Sequence, residues 1–237
     1  MLVGICTALG CGQPTFKSES KIKDVSKGPA KALVEAAKPA SIGKNVALEI
    51  LPSGQRRVLV NAVVSFRQGP LELFMCRRYT KEHESVVAAE CDARDIHTAL
   101  LAAGALPGAP VKFEPKYEPA IGTPIKVFVR YEQDKKEITV DAREWVRDVK
   151  TQKPLAIDWV FAGSFFYADP MDAKNQRYAA NSGDIICVSN FGTAMMDLPI
   201  ESSSANDELQ FEAFPDKIPA LGTPVTVILE PQLQTKN

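Results

Sequence analysis

The sequence predicts an α+β, β-dominated domain over about residues 45–237, with one main helix at about 92–104. Three observations carry this. Short segments alternate apolar and polar residues, or run in β-branched ones, which is the period-two signature of strands. Seventeen prolines and turn clusters such as Pro52-Ser53-Gly54 and Gln133-Asp134-Lys135-Lys136 punctuate those segments. Only one long stretch has convincing helical spacing.

Taken in order, the strand segments are Val46–Leu51, Arg57–Phe66, Leu71–Arg78 and Ser85–Cys91, then Ile125–Glu132, Glu137–Asp141, Asp158–Tyr167, Asp184–Ser189, Glu208–Phe214 and Thr223–Glu230. The second pair reads as a hairpin turned near Thr80–Glu84. The helix runs from Asp92 to Ala103: Asp92 stands at a cap position, Ile96, Leu100 and Leu101 share a face, and Gly104 stops it. Along Asp158–Tyr167, the residues Trp159, Phe161, Phe165 and Tyr167 share one parity and read as a core face, with Val160 and Phe166 opposite. Asp169–Asn181 is polar and reads as a mobile surface loop. Asn190–Ser204 reads as a loop at a binding surface.

Composition narrows the function classes. Lys and Arg number 28 against 29 Asp and Glu, for a net charge of −1, so general nucleic-acid binding is not expected. No run of 18 apolar residues exists to span a membrane.

The N-terminus carries an address. Leu2–Gly10 is an uncharged apolar run ending in small residues directly before Cys11, the arrangement of a bacterial lipoprotein signal. Ala8 stands where Leu is usual, and no Lys or Arg precedes the run. On this reading residues 1–10 are a signal remnant, Cys11 is lipidated, and 11–44 form a flexible basic tether. Residues 12–44 hold seven Lys against Glu19, Asp24 and Glu35, a charge of +4 that favours anionic headgroups. Within the tether, Ala30–Lys38 has the composition of a short helix.

Cysteines add little. Cys76, Cys91 and Cys187 remain after the signal, an odd number. In the expected hairpin Cys76 faces about Val87, which leaves Cys91 roughly 13 Å along the strand, too far for a disulfide. No C-x-x-C spacing exists, so the three read as buried hydrophobes.

A repeat divides the body. Residues 119–127, PAIGTPIKV, return as 219–227, PALGTPVTV, with six of nine positions identical. Glu84-Ser85 and Glu201-Ser202 offer a second matched pair. Their distances to the Gly-Thr-Pro turns, 38 and 21 residues, differ by the length of the helical segment Asp92–Gly108. Two related halves and convergence on a favourable turn both account for this.

Several motifs together resemble the YdjY-domain family over about residues 60–230. They are Lys81-Glu82-His83-Glu84-Ser85, Ile96-His97-Thr98-Ala99-Leu100-Leu101, Gly104 through Pro110, Glu144-Trp145-Val146, Asp158 through Ser164, Ile186 through Phe191, and Asp197 through Ser203. The resemblance implies an uncharacterised bacterial domain, common in planctomycetes and often exported or lipid-anchored. It supplies no activity. The ferredoxin-like label of some members finds no cysteine spacing here.

For chemistry, Glu84 and Glu201 are the catalytic candidates, since two opposed carboxylates perform acid–base work or glycoside hydrolysis. His83, Asn190, Asp197 and Ser202 are the ligand-binding candidates. The metal candidates are His83 and His97, which would need carboxylates such as Glu84 and Glu201, but strand and helix rises need not bring the two histidines together. No cofactor motif is evident. Ser85, Ser164, Ser189 and Ser202 lack a G-x-S-x-G elbow. The sequence thus describes a lipid-anchored protein of the cell envelope, facing the periplasm or exterior, that binds an envelope protein or a small molecule and no nucleic acid. Its rivals are an extracytoplasmic enzyme or metal-binding protein using His83, Glu84 and Glu201, and a cytoplasmic protein with a misleading apolar start.

Overall fold

The computed structural model describes residues 38–203 and 209–233. The expected signal, Cys11, residues 11–37 of the tether with all of its Ala30–Lys38 segment but Lys38, and Glu208 lie outside these residues.

Among the described residues a hairpin comes first, β1 (Ala40–Gly43) and β2 (Val46–Ile50), so β1 lies inside the stretch read as tether. Next is β3 (Arg56–Val64), which alternates to bury Val58, Val60, Ala62 and Val64. A two-residue strand β4 (Gly69–Pro70) precedes β5 (Leu73–Arg77), and a 3₁₀ turn at Glu82–Glu84 leads into β6 (Ser85–Ala89). Helix α1 (Ala93–Ala102) follows as expected. Asp92 caps it by accepting from the Arg94 N–H, and it ends in a Schellman motif, with the Ala105 N–H on Leu100 and the Gly104 N–H on Leu101. Its buried face, Ala93, Ile96, Ala99 and Leu100, packs on β1, β2 and β3.

Beyond the helix lie β7 (Pro107–Ala109), β8 (Ile121–Gly122), β9 (Pro124–Gln133) and β10 (Lys136–Asp141). A 3₁₀ turn at Ala142–Trp145 precedes β11 (Val146–Asp148) and β12 (Trp159–Phe161). A side hairpin follows, β13 (Phe166–Asp169) and β14 (Asp172–Tyr178). The last strands are β15 (Ile186–Cys187), β16 (Met196–Asp197), β17 (Phe211–Ala213) and β18 (Pro224–Pro231).

Eight strands close a barrel in the order β3-β18-β9-β12-β16-β15-β5-β6, with β6 returning to β3 through Val63↔Ala88 and Val64↔Val87. Closure leaves these strands no long bare edge. Two pairings, β5–β6 and β15–β16, are parallel, and the other six are antiparallel. The core includes an aromatic group: Phe74 lies 5.7 Å from Trp159 and 6.5 Å from Trp145 by ring centroid, and Trp145 lies 5.7 Å from Tyr131. The buried Trp159 indole N–H finds its partner in the Cys187 carbonyl at 2.7 Å.

The wiring repeats. In chain order β3, β5, β6 and β9 make the same neighbours, in the same directions, as β12, β15, β16 and β18. The register agrees residue by residue. Val63↔Pro224 answers Val160↔Pro124, and Val63↔Ala88 answers Val160↔Asp197. Likewise Val64↔Val87 answers Phe161↔Met196, and Met75↔Val87 answers Ile186↔Met196. A pseudo-twofold axis therefore passes between Phe128 and Ile228, which face each other, and another crossing lies between Met75 and Ile186. The Phe161 N–H on the Thr123 carbonyl (2.9 Å) matches the Val64 N–H on the Thr223 carbonyl (3.0 Å). Under this register Ser202 lies beyond β16, so the two Glu-Ser pairs do not correspond.

Three expectations are corrected. The segments Leu71–Arg78 and Ser85–Cys91 do not form a hairpin: β5 and β6 run parallel, with Cys76 beside Ala88, because the intervening chain crosses back to bring Ser85 beside Leu73. Cys76, Cys91 and Cys187 are, as expected, free and buried. The segment Asp158–Tyr167 is not one strand. Gly163 and Ser164 take positive φ (95° and 53°), ending β12 and turning the chain out of the barrel. Phe165, Phe166 and Tyr167 are consequently exposed, at 46%, 55% and 40%, on a side hairpin whose second strand occupies the expected loop Asp169–Asn181.

Candidate functional site

Each parallel pair needs a crossover, and both are short: Arg78–Glu84 joins β5 to β6, and Val188–Met195 joins β15 to β16. Because β5 and β15 are neighbours across the pseudo-axis, the two crossovers meet. Two polar clusters occupy that meeting place.

The first is built on Lys81. Its ammonium lies 3.2 Å from Asp184 Oδ1, 3.4 Å from Glu72 Oε2 and 3.8 Å from Glu84 Oε1, and 4.2 Å over the Phe191 ring. The buried Asp184 also accepts from the hydroxyls of Ser182 and Thr193. Burial alone would push the Lys81 pKa down, but Asp184, Glu72 and Glu84 outweigh it and hold the ammonium above its ordinary value. Burial, and then the adjacent Glu84 carboxyl, push Glu72 up.

The second cluster is centred on Asp197, which is fully buried. Its Oδ1 accepts from Asn190 Nδ2 (3.1 Å) and the Leu198 N–H (2.8 Å), and its Oδ2 from the Phe191 N–H (3.3 Å). The Asn190 Oδ1 in turn accepts from the Ser202 N–H (2.8 Å) and the Tyr117 hydroxyl (3.1 Å). Ser202 donates its hydroxyl to the Val188 carbonyl at 2.8 Å. Burial pushes the Asp197 carboxyl up to about 7, against the pull of Asn190 and of the backbone N–H groups of Leu198 and Phe191.

Three ligand-binding candidates, Asn190, Asp197 and Ser202, thus converge in one network. His83 stands apart: its side chain is 76% exposed, and its Nε2 lies 3.7 Å from Glu84. The carboxyl beside Glu84 is that of Glu72 rather than Glu201, which is exposed on the segment leading into Ser202. His97 is packed on the helix, edge-on to Phe161 at 4.9 Å. The Tyr178 hydroxyl donates to the Gly163 carbonyl (2.7 Å), so it accepts from His97 Nδ1 (2.8 Å). Burial holds His97 below its ordinary value. Among the described residues, no group of three or more His, Cys, Asp or Glu side chains is arranged to hold a metal ion. Of the serines, Ser164 donates to the Thr193 carbonyl, Ser85 to that of Val87 and Ser189 to that of Leu71, each a structural bond.

Sequence reasoning missed Glu72, Lys81, Asp184 and Tyr117. A signal was present for two of them: Glu72 and Asp184 are single acids at the heads of the apolar runs Leu73–Cys76 and Ile185–Val188.

The family model of the YdjY domain matches residues 53–230. No curated protein and no solved structure matches the chain. The chain belongs to the YdjY domain family.

Proposed function

From that membership we propose that the chain is a binding or accessory module of the cell envelope, held there by acylation of Cys11, with the basic stretch that follows serving as its tether. One observation favours binding over catalysis. The carboxylate with the most perturbed environment, Asp197, is enclosed, and both of its oxygens are occupied by donors from Asn190, Leu198 and Phe191. A network so satisfied fixes the crossover loop in shape, which suits presentation of a surface. The apolar run Leu2–Gly10 ahead of Cys11 supports the anchor. Palmitate incorporation, lost in Cys11→Ala, together with a mature chain lacking residues 1–10, is the expected result. A full-length, unlabelled, soluble chain rejects the anchor.

The repeat in the wiring and register also supports a domain built from two related halves, β3 to β9 and β12 to β18, fused in tandem.

A second reading has its own observation. Glu72 and Glu84 form a carboxyl pair in which burial, and then Glu84, push Glu72 up, an arrangement suited to acid–base chemistry. On this reading the extracytoplasmic enzyme uses Glu84 with Glu72, rather than Glu84 with Glu201 or His83. Glu84→Gln abolishing a turnover found by substrate screening, with folding unchanged, supports it.

A further inference from the structure

Away from the crossovers, a cavity of about 440 Å³ opens beneath the side hairpin β13–β14. Three guanidiniums line it, from three separate elements: Arg77 at the end of β5, Arg94 in the first turn of α1 and Arg177 on β14. Tyr167, Tyr178 and Asn181 complete its walls, and no carboxylate is among the lining residues. Each guanidinium is held from behind through its Nε: Arg77 on the Cys91 carbonyl (3.2 Å), Arg94 on Asp92 (3.0 Å) and Arg177 on Asp169 (2.6 Å). Anchoring at Nε fixes the plane of the fork; Arg77 keeps both terminal nitrogens for a second partner, while Arg177 also meets the Tyr167 hydroxyl of the cavity wall. Fixed arginine forks from several elements are the chemistry that recognises phosphate.

The hairpin over this cavity also exposes apolar side chains. Phe165, Phe166 and Met171 on or beside the hairpin are 46%, 55% and 90% exposed. Phe166 packs on Tyr178 at 4.9 Å, and Phe165 on Tyr167 at 6.3 Å, so the exposed rings are continuous with the cavity wall. A soluble phosphate compound needs no such exposed apolar side chains. A bilayer surface supplies both partners, headgroup phosphate for the arginines and an interfacial layer for the aromatic side chains.

We propose that this cavity binds the phosphate of an anionic lipid headgroup, with Arg77, Arg94 and Arg177 on the phosphate and Phe165, Phe166 and Met171 in the membrane interface. The proposal stands whether or not Cys11 is acylated.

The test uses the full chain carrying Cys11→Ala, so no acyl anchor contributes. Co-sedimentation is measured with vesicles of phosphatidylglycerol and phosphatidylcholine, and with phosphatidylcholine alone. Inorganic phosphate is titrated calorimetrically in parallel. Arg77→Gln with Arg177→Gln is expected to weaken binding to the anionic vesicles about thirtyfold, at about 1 kcal/mol for each arginine near the surface. It also removes the phosphate heat. Phe165→Ser with Met171→Ser weakens vesicle binding and leaves inorganic phosphate unchanged. Circular dichroism confirms that each variant is folded. A wild-type chain that prefers neither vesicle, or an arginine variant that binds as wild type does, overturns the proposal. Phosphate heat without vesicle binding assigns the anion to a soluble compound and overturns the lipid occupant.

Discussion

The two halves of the barrel share their wiring and differ in their chemistry. At one register position the first half places Ala88 and the second places Asp197, opposite Val63 and Val160 respectively. Ala88 packs in an apolar cluster with Leu73 and Cys76, whereas Asp197 gathers Asn190, Phe191 and Leu198 around its carboxylate. The crossovers differ likewise: the first contributes a cation, Lys81, and the second contributes Phe191 and Thr193, which receive it and its partner Asp184. Strand pairing is fixed by the backbone, so it tolerates this divergence. Polar chemistry enters only where donors exist to satisfy it.

Substitutions that force one half to resemble the other break this pattern in order of size. Ala88→Asp places the second half's carboxylate where no donors await it, and is expected to cost about 5 kcal/mol or to prevent folding, read by urea denaturation. Gly122→Ala comes next, at about 3–4 kcal/mol, because a Cβ there would sit 2.0 Å from the Phe161 carbonyl oxygen. Asp197→Ala strands three donors and is expected to cost about 3 kcal/mol. It also changes the pH profile. Folded Asp197 holds its proton up to about 7, while unfolded it releases it near 3.8. Stability therefore falls as pH rises between those values, and the variant shows a shallower fall in denaturation midpoint over that window. Lys81→Met leaves Glu72, Glu84 and Asp184 without their shared cation. The expected loss is about 2 kcal/mol, read by urea denaturation. The smallest effect is Gly222→Ala, about 1 kcal/mol, since the repeat's second glycine has only its φ of +79° to lose and no atom within 4 Å. Equal costs at Gly122 and Gly222 would remove the contrast between the halves.

Much of the fold was legible in the sequence. Alternation located β2, β3, β9, β10 and β18, and the cap residue Asp92 with Gly104 located α1. The repeated Gly-Thr-Pro pointed at two strands that turn out to be neighbours facing each other. Direction was not legible: nothing local in Thr80–Glu84 distinguishes a hairpin turn from a crossover, and the choice rests on β6 pairing with β3. The parity of Trp159 and Phe161 did not extend to Phe165 and Tyr167, because Ser164 takes a left-handed conformation that its own side-chain bonds stabilise. At the crossovers, Asn190, Asp197 and Ser202 lie close enough in sequence to be grouped by eye. Lys81 and Asp184 are 103 positions apart and meet only through the pseudo-axis.

One consequence concerns the order in which the barrel can form. The stave between β3 and β9 is β18, the last strand among the described residues. A growing polypeptide therefore holds β3 and β9 without the partner that joins them from Gln133 until Pro231 is available, and only then does the ring close. Such late, long-range closure is slow. It keeps the chain threadable until β18 is made, and it leaves β3 and β9 in need of shielding from other chains during the wait.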